Sequence, residues 1–249
     1  MGKTLCEARV SFAKPGDAPA IRRSKPALEK ASFSTKKGDE VFRKTRSRFT
    51  DLQLSSSVRN LATVRAAMRN LRVFESISVD GYFADVHGDI GWAHAGREDA
   101  EFAGWMGGNA SQGGALLFGR KTYQMMEAFW PTPLAAQQMP VVAKGMNAAT
   151  KYVASRTLQP AWSNTHLLKG DLVAAVRELK SSEGPDLTIL GSGSVVAQLG
   201  EAGLVDGYQF VIIPVALGGG RTVFTKGCAL RLVDQRAFRC GNVVVTYAT

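Results

Sequence analysis

Cysteine, histidine and long apolar runs are all scarce in this chain, and each scarcity removes a class of protein. Only Cys6, Cys228 and Cys240 occur in 249 residues, with no C-x-x-C spacing, so neither a disulfide framework nor a zinc ribbon is expected. His87 and His94 stand seven residues apart without a second His pair or a matching Cys, so no metal site is expected either. The longest apolar stretches, such as FVIIPVAL at 210–217, are far too short to cross a bilayer, and no secretory apolar region precedes them. A soluble cytoplasmic protein with no membrane partner is the expectation.

Charge of one sign is also missing from most of the chain. The net charge is +10, but residues 1–67 hold 15 Lys/Arg against 6 Asp/Glu, whereas residues 68–249 hold 16 against 15. The basicity therefore belongs to the first 67 residues. Those residues carry scattered single apolar side chains, many Ser and Lys, and neither a helical nor a strand period, so they are read as a mostly disordered extension. A basic arm for nucleic acid or acidic surfaces is one reading. Six acidic residues argue against an organelle transit peptide, and Cys6 stands where myristoylation wants Ser or Thr. The preferred reading is a start at Met68, immediately before the first clean strand pattern, with 68–249 as the folded domain. No basic or aromatic stripe crosses 68–249, which argues against a nucleic-acid partner.

What is present after Met68 is an alternation of strand-like and helix-like segments. LRVFESISV (71–79), ALLF (115–118), KYVAS (151–155), THLL (165–168), LTIL (187–190) and VDGYQFVIIPV (205–215) read as strands. REDAEFAGWM (97–106), KTYQMMEAF (121–129), the segment after Asp171 up to Gly184-Pro185, and GSGSVVAQLGEAG (191–203) read as helices. The end, from about Ala229, reads as a β-hairpin broken near Gly241-Asn242. This pattern predicts an α/β fold with a mainly parallel sheet flanked by helices and an antiparallel C-terminal hairpin, whose free edge a second copy could cover as a homodimer.

Three strand ends carry anion-ready chemistry. LTILGSGSVVAQL drives a buried strand through Gly191, Ser192, Gly193 and Ser194 into a helix, as a diphosphate requires: small residues allow close approach and the helix start offers free N–H groups. Val196 stands at the third glycine position of G-x-G-x-x-G, so the dinucleotide fingerprint is not met. In LLFGRKTYQMM, Arg120 and Lys121 are placed to meet phosphate oxygens while Thr122 caps the next helix; the alternative is an ordinary basic turn. In YVASRTL, Ser155 and Arg156 suit a ribose 2′-phosphate, with a solvated surface turn as the alternative. All three lie at the C-terminal ends of strands, where ligands bind in open α/β sheets. Asp80, just past the first strand in SISVDGYFAD, reads either as a plain Asp-Gly turn or as a carboxylate for an amidine- or lactam-like heterocycle edge.

Five motifs in order carry a resemblance: S-x-D-G-x-x-A from Ser78 to Ala84, F-G-R-x-T from Phe118 to Thr122, the strand with Ser-x-Thr-Leu at 153–158, G-S-G-S at 191–194, and P-x-x-L-G-x-G-x-x-x-F from Pro214 to Phe224. With them, 68–249 resembles the dihydrofolate reductase-like family, and within it the C-terminal reductase domain of the riboflavin-biosynthesis enzymes. The resemblance implies NADPH as cofactor: Gly119, Arg120 and Thr122 on its phosphates, Ser155 and Arg156 near its 2′-phosphate, and Gly191 to Val195 (including Ser192, Gly193 and Ser194) around its diphosphate. It implies Asp80 on the substrate side, Trp92 lining the nicotinamide pocket, and Asp99 or Glu98 as the proton-handling carboxylate. A carboxylate in a helix's first turn is also common for dipole reasons alone.

Two departures narrow this. The segment MPVVAKGMNAATKYV offers Lys144 and Lys151 but no arginine where dihydrofolate reductases grip the folate tail. Residues 1–67 contain no H-x-E and no P-C-x-x-C, which removes the deaminase half of the bifunctional riboflavin enzymes. The expected function is an NADPH-dependent reductase transferring hydride to a pterin- or aminopyrimidine-like small molecule, with Asp80 and Asp99 as the catalytic candidates. The alternatives are a non-catalytic nucleotide-binding protein of the same fold and a true dihydrofolate reductase.

Overall fold

The computed structural model describes residues 68–249; the expectations for 1–67 and for a start at Met68 lie outside the described residues. The fold is built on strand β1 (Leu71–Ser78), whose alternating side chains serve two cores: Leu71 and Val73 on one face, Phe74 on the other. The other main strands are β3 (Ala115–Gly119), β4 (Thr150–Ala154), β5 (Thr165–Leu168), β6 (Leu187–Leu190), β7 (Gly207–Ile213), β9 (Arg231–Ala237) and β10 (Val243–Ala248). They form one eight-stranded sheet in the order β5-β4-β3-β6-β1-β7-β10-β9. Every pairing from β5 to β7 is parallel, and only β10 runs against its neighbours β7 and β9. The expected antiparallel C-terminal hairpin on a parallel sheet is thus observed. Its outer strand β9 is exposed along all seven residues.

Parallel strands need helical crossovers, and these cover both faces. Helices α5 (Leu172–Ser181) and α6 (Gly193–Glu201) bury Val176, Val195, Val196 and Leu199 against Leu71, Val73, Leu117 and Ile189. Each fully buried side chain of this size contributes about 1.5–3 kcal/mol. On the other face, α1 (Ala100–Ser111) brings Phe102 to Val211 and Ile213, while α2 (Arg120–Glu127) and α4 (Pro140–Ala148) bring Tyr123, Val142 and Met146 to Phe118 and Val153.

Two pieces lie beyond the pattern read from the sequence. A short sheet pairs β2 (Tyr82–Ala84) with β8 (Arg221–Thr222), and residues 130–150 form α3 (Pro133–Gln138) and α4 instead of an irregular loop. The signal for α3 was present: Thr132 caps it, accepting from the Ala135 N–H, and Pro133 starts it. The first expected helix begins later than Arg97, because Asp99 is its N-cap.

Lys151, one of the two lysines set against the missing arginine, is turned into the protein. It is fully buried on β4, donates to the carbonyls of Asn147, Ala149 and Ser163 at 2.7–3.3 Å, and lies 4.3 Å from the centre of the Trp162 ring. Lys151→Met leaves those carbonyls without a donor and is predicted to lower stability by about 1–3 kcal/mol in urea unfolding; an unchanged midpoint refutes the bracing role.

Candidate functional site

The site begins where β6 stops. Its last pairings are Leu190 with Phe74 on β1 and Ile189 with Leu117 on β3. Strand β1 continues to Ser78 along β7, and β3 continues to Gly119 along β4. A notch therefore opens between β1 and β3 at the C-terminal edge of the sheet, and the chain turns inside it. Gly191 (φ 56°) and Ser192 (φ 66°) are both left-handed, a conformation easy for glycine and costing Ser192 about 1 kcal/mol. Ser192 is held there by its own hydroxyl, which accepts from the Gly119 N–H at 2.8 Å and lies 3.2 Å from the Leu190 carbonyl, to which it donates.

That hydrogen bond ties the glycine turn to the F-G-R turn, and a second tie reaches the third turn. Arg120 Nη1 donates to Thr157 Oγ1 at 3.1 Å, and Ser155 Oγ accepts from the N–H groups of Thr157 and Leu158. Arg120, Ser155 and Gly193 border an open cleft that runs on as far as Asn70 and Asp186 at the opposite edge of the sheet. The approaches are close enough to require glycine. A Cβ on Gly191 would stand 3.2 Å from Thr122 Cγ2, and one on Gly193 would clash with Phe83 Cζ.

Helix starts differ in their caps, and α4, which starts after Met139, has no capping side chain. Asp99, Thr132 and Asp171 cap α1, α3 and α5 with their side chains. Helices α2 and α6, whose N-termini face the cleft, have no capping side chain. The expectation that Thr122 caps α2 is corrected: Gly119 is the N-cap, and Thr122 sits at the third helical position with its methyl group toward Gly191. Orphan N–H groups of two helices are thereby left for a ligand. Of the glycine-turn residues, Val195 contributes least to such a cradle, because its N–H donates to the Ser192 carbonyl and its side chain is in the core. Gly193 and Ser194 lead the helix, and Lys121 and Arg156 are exposed at the rim.

The carboxylates divide by environment. Asp80 accepts from Ser78 Oγ at 2.6 Å and from the N–H groups of Leu217 and Gly218 at 2.8–3.2 Å, clasping the loop after β7 to the end of β1. The Ser78 hydroxyl, with those N–H groups, holds it below the usual carboxylate range. Asp99 accepts from the Phe102 N–H at 2.9 Å as a helix cap. Trp92 donates through Nε1 to the Asp89 carbonyl and packs beside the aromatic group of Phe102, Trp105 and Phe238.

Sequence reading did not single out Glu75 or Phe83. Glu75 follows Leu71 and Val73 on the same face of β1, so its carboxyl points at the notch, and its Oε2 lies 3.8 Å from the position of a Cβ on Gly191. Burial pushes this carboxyl up to about 8, against a small opposing effect of the Ser76 N–H. The available signal was a lone acid at an inward position of an otherwise apolar strand half.

A mainly parallel sheet flanked by helices, with an antiparallel C-terminal hairpin, is a mixed α/β fold of the dihydrofolate reductase-like kind. The chain belongs to the family of the RibD C-terminal domain, whose model matches residues 69–246. It is 25% identical over 175 residues to the uncharacterized protein YyaP of Bacillus subtilis (strain 168), covering 69% of this chain and 90% of that protein. A putative riboflavin biosynthesis protein from Shewanella sp. PV-4 has a similar solved structure, with a TM-score of 0.54, 22% identity, and coverage of 72% of this chain and 98% of the other. The structure of a diaminohydroxyphosphoribosylaminopyrimidine deaminase/5-amino-6-(5-phosphoribosylamino)uracil reductase from Thermotoga maritima is similar at a TM-score of 0.51 and 13% identity. It covers 76% of this chain and 58% of that one. These two likenesses concern the fold. No helix among the described residues is long and apolar enough to cross a membrane.

Ser192→Ala deletes the acceptor for the Gly119 N–H while keeping the left-handed strain, and is predicted to destabilise by about 1–3 kcal/mol. Ser192→Gly relieves that strain and is predicted to cost less. The ranking is read from thermal unfolding, and a reversed order refutes the stitching role of the hydroxyl.

Proposed function

We propose that this chain is an NADPH-dependent reductase that transfers hydride to a C=N or open-chain carbonyl of a pterin- or aminopyrimidine-like small molecule. The observation that carries this reading is the tying of three anion-ready turns into one edge, through Gly119 to Ser192 and Arg120 to Thr157. Family membership supports it.

The residues present fit such a cofactor. The uncapped starts of α2 and α6 suit a diphosphate, and Arg120, Lys121, Ser155 and Arg156 suit the 2′-phosphate. Bound NADPH would supply the hydride from its nicotinamide C4. The chain's part is to bind, orient and exclude water. The assignment of Trp92 to the nicotinamide pocket and the substrate rests on the resemblance; its indole packs with the Phe102–Phe238 cluster, and its neighbours Gly91, Ala93 and His94 line the cleft. Asp80, held as an ionised acceptor, keeps the substrate-side loop at 214–220 in place and accepts from donors; it is not a proton source at neutral pH. Asp99 serves α1 as a cap, and the assignment of proton handling to it rests on the resemblance alone. The exposed strand β9 is the edge that a second copy would extend.

Arg120→Ala is predicted to weaken NADPH about tenfold or more while leaving NADH nearly unchanged, because the lost bonds are charge-assisted contacts to the extra phosphate. Tryptophan fluorescence titration with both dinucleotides measures this. Equal losses for the two refute the 2′-phosphate role.

A further inference from the structure

Glu75 is the only acid of strand β1, in a cleft whose rim carries Arg120, Lys121 and Arg156. Strand β6 ends opposite Phe74, so the Glu75 side chain emerges beside the Gly191 turn with no strand covering it on that side. Thr122 Cγ2 and Glu75 Oε2 approach the same Gly191 position, at 3.2 and 3.8 Å from its Cβ site. The carboxyl accepts only the N–H of the adjacent Ser76, at 3.2 Å, and among the described residues it forms no ion pair.

The elements around it leave it uncompensated. Strand β6 carries no charged side chain, and β7 carries only Tyr208 as a titratable group. Helix α6 has its one acid, Glu201, at the far end, paired to Thr225 and Lys226. In α2, Arg120 is turned to Thr157, Tyr123 and Glu127 bond each other, and Lys121 is exposed at the rim. From the short sheet, Phe83 closes over Gly193, with Tyr82 on β2 and Arg221 on β8. The turn Gly91–His94, packed against β1, brings His94 with Asp89 and Arg97 to the same cleft, and none of these pairs with Glu75.

An ionised carboxylate here would face the same phosphates that the uncapped helix starts are arranged to receive. A protonated one would offer them an O–H donor. We infer that Glu75 binds the dinucleotide as a neutral carboxylic acid, donating a hydrogen bond from the floor of the notch, so that its ionisation expels the cofactor. This inference rests on the reading of the cleft as an NADPH site. The sign follows from linkage: a ligand that prefers the protonated form is held below the raised value of about 8 and released as pH climbs through it. Glutamine has the same shape and keeps an N–H donor at every pH.

NADPH affinity measured by tryptophan fluorescence between pH 7 and pH 9 tests this in the wild type and in Glu75→Gln. The wild type is expected to weaken by about tenfold across that interval, as one deprotonation near 8 requires, and Glu75→Gln to stay within about twofold. A wild type that binds equally at both pH values, or a Glu75→Gln variant with the wild-type slope, overturns the inference while leaving the cofactor site standing. Absence of NADPH binding to both proteins at pH 7 overturns the cofactor reading and this inference together. Carboxyl ¹³C titration of the free protein supplies a second check: the Glu75 signal, identified by its loss in Glu75→Gln, is expected to move near pH 8, and a midpoint near 4.5 overturns the neutral-acid state.

Discussion

The organisation of this site follows from the shortness of one central strand. β6 has four residues, whereas β1 beside it has eight, and the difference falls entirely at the C-terminal edge. A strand that stopped level with its neighbours would leave a closed sheet with loops above it. Here the chain drops into the gap, two successive residues turn left-handed, and the backbone N–H of Gly119 is satisfied by a serine side chain instead of a strand partner. That one bond sets how far the start of α6 stands from the start of α2. Because backbone polar groups must be paired when buried, the notch could not be left empty by the fold itself. It is filled by a turn whose remaining free groups are donors.

The electrostatics of the cleft are local. Residues 68–249 are close to neutral overall, so no general field draws an anion to this edge. The anion site we propose rests instead on local groups at the helix starts. Asp99, Thr132 and Asp171 cap three helices, whereas α2, α4 and α6 start at Gly119, Met139 and Ser192 with no capping side chain, and the serine hydroxyl is committed to Gly119 and Leu190. Removing a competing oxygen from a helix start is equivalent to holding a place for a ligand oxygen.

Much of this was legible in the sequence wherever the signal was local. The strands at 165–168 and 187–190, the Asp171 cap and the C-terminal hairpin follow from period, capping and turn chemistry within a few residues of each other. The three strand-end turns were visible for the same reason. Thr122 was misassigned because Gly-x-x-Thr satisfies a capping pattern read three residues late; the helix already begins at Arg120. β2 and β8 were invisible because two- and three-residue strands have no period to detect, and their pairing depends on Gly220 meeting the Ala84 carbonyl across a long loop. Glu75 is the clearest case. Its residue type and position were plain, but its meaning depends on where β6 ends and on Gly191 arriving beside it, and neither is encoded near residue 75.

Two carboxyl groups on one strand and its turn, five residues apart, consequently live in opposite conditions. Asp80 sits at the exposed edge with a hydroxyl and two backbone donors on it, all of which favour the charge. Glu75 sits inside the notch with one neighbouring N–H and no cation, and burial favours the acid. Environments that push paired carboxyls apart assign them different chemical parts. Asp80 can accept and hold; it has no proton to give near neutrality. Between the two, only Glu75 is pushed toward the protonated form. The sequence motif drew attention to Asp80 because a conspicuous Asp-Gly turn follows a strand. The physics of the notch moves the proton to the acid that the motif passes over, and the same four-residue strand is responsible for both.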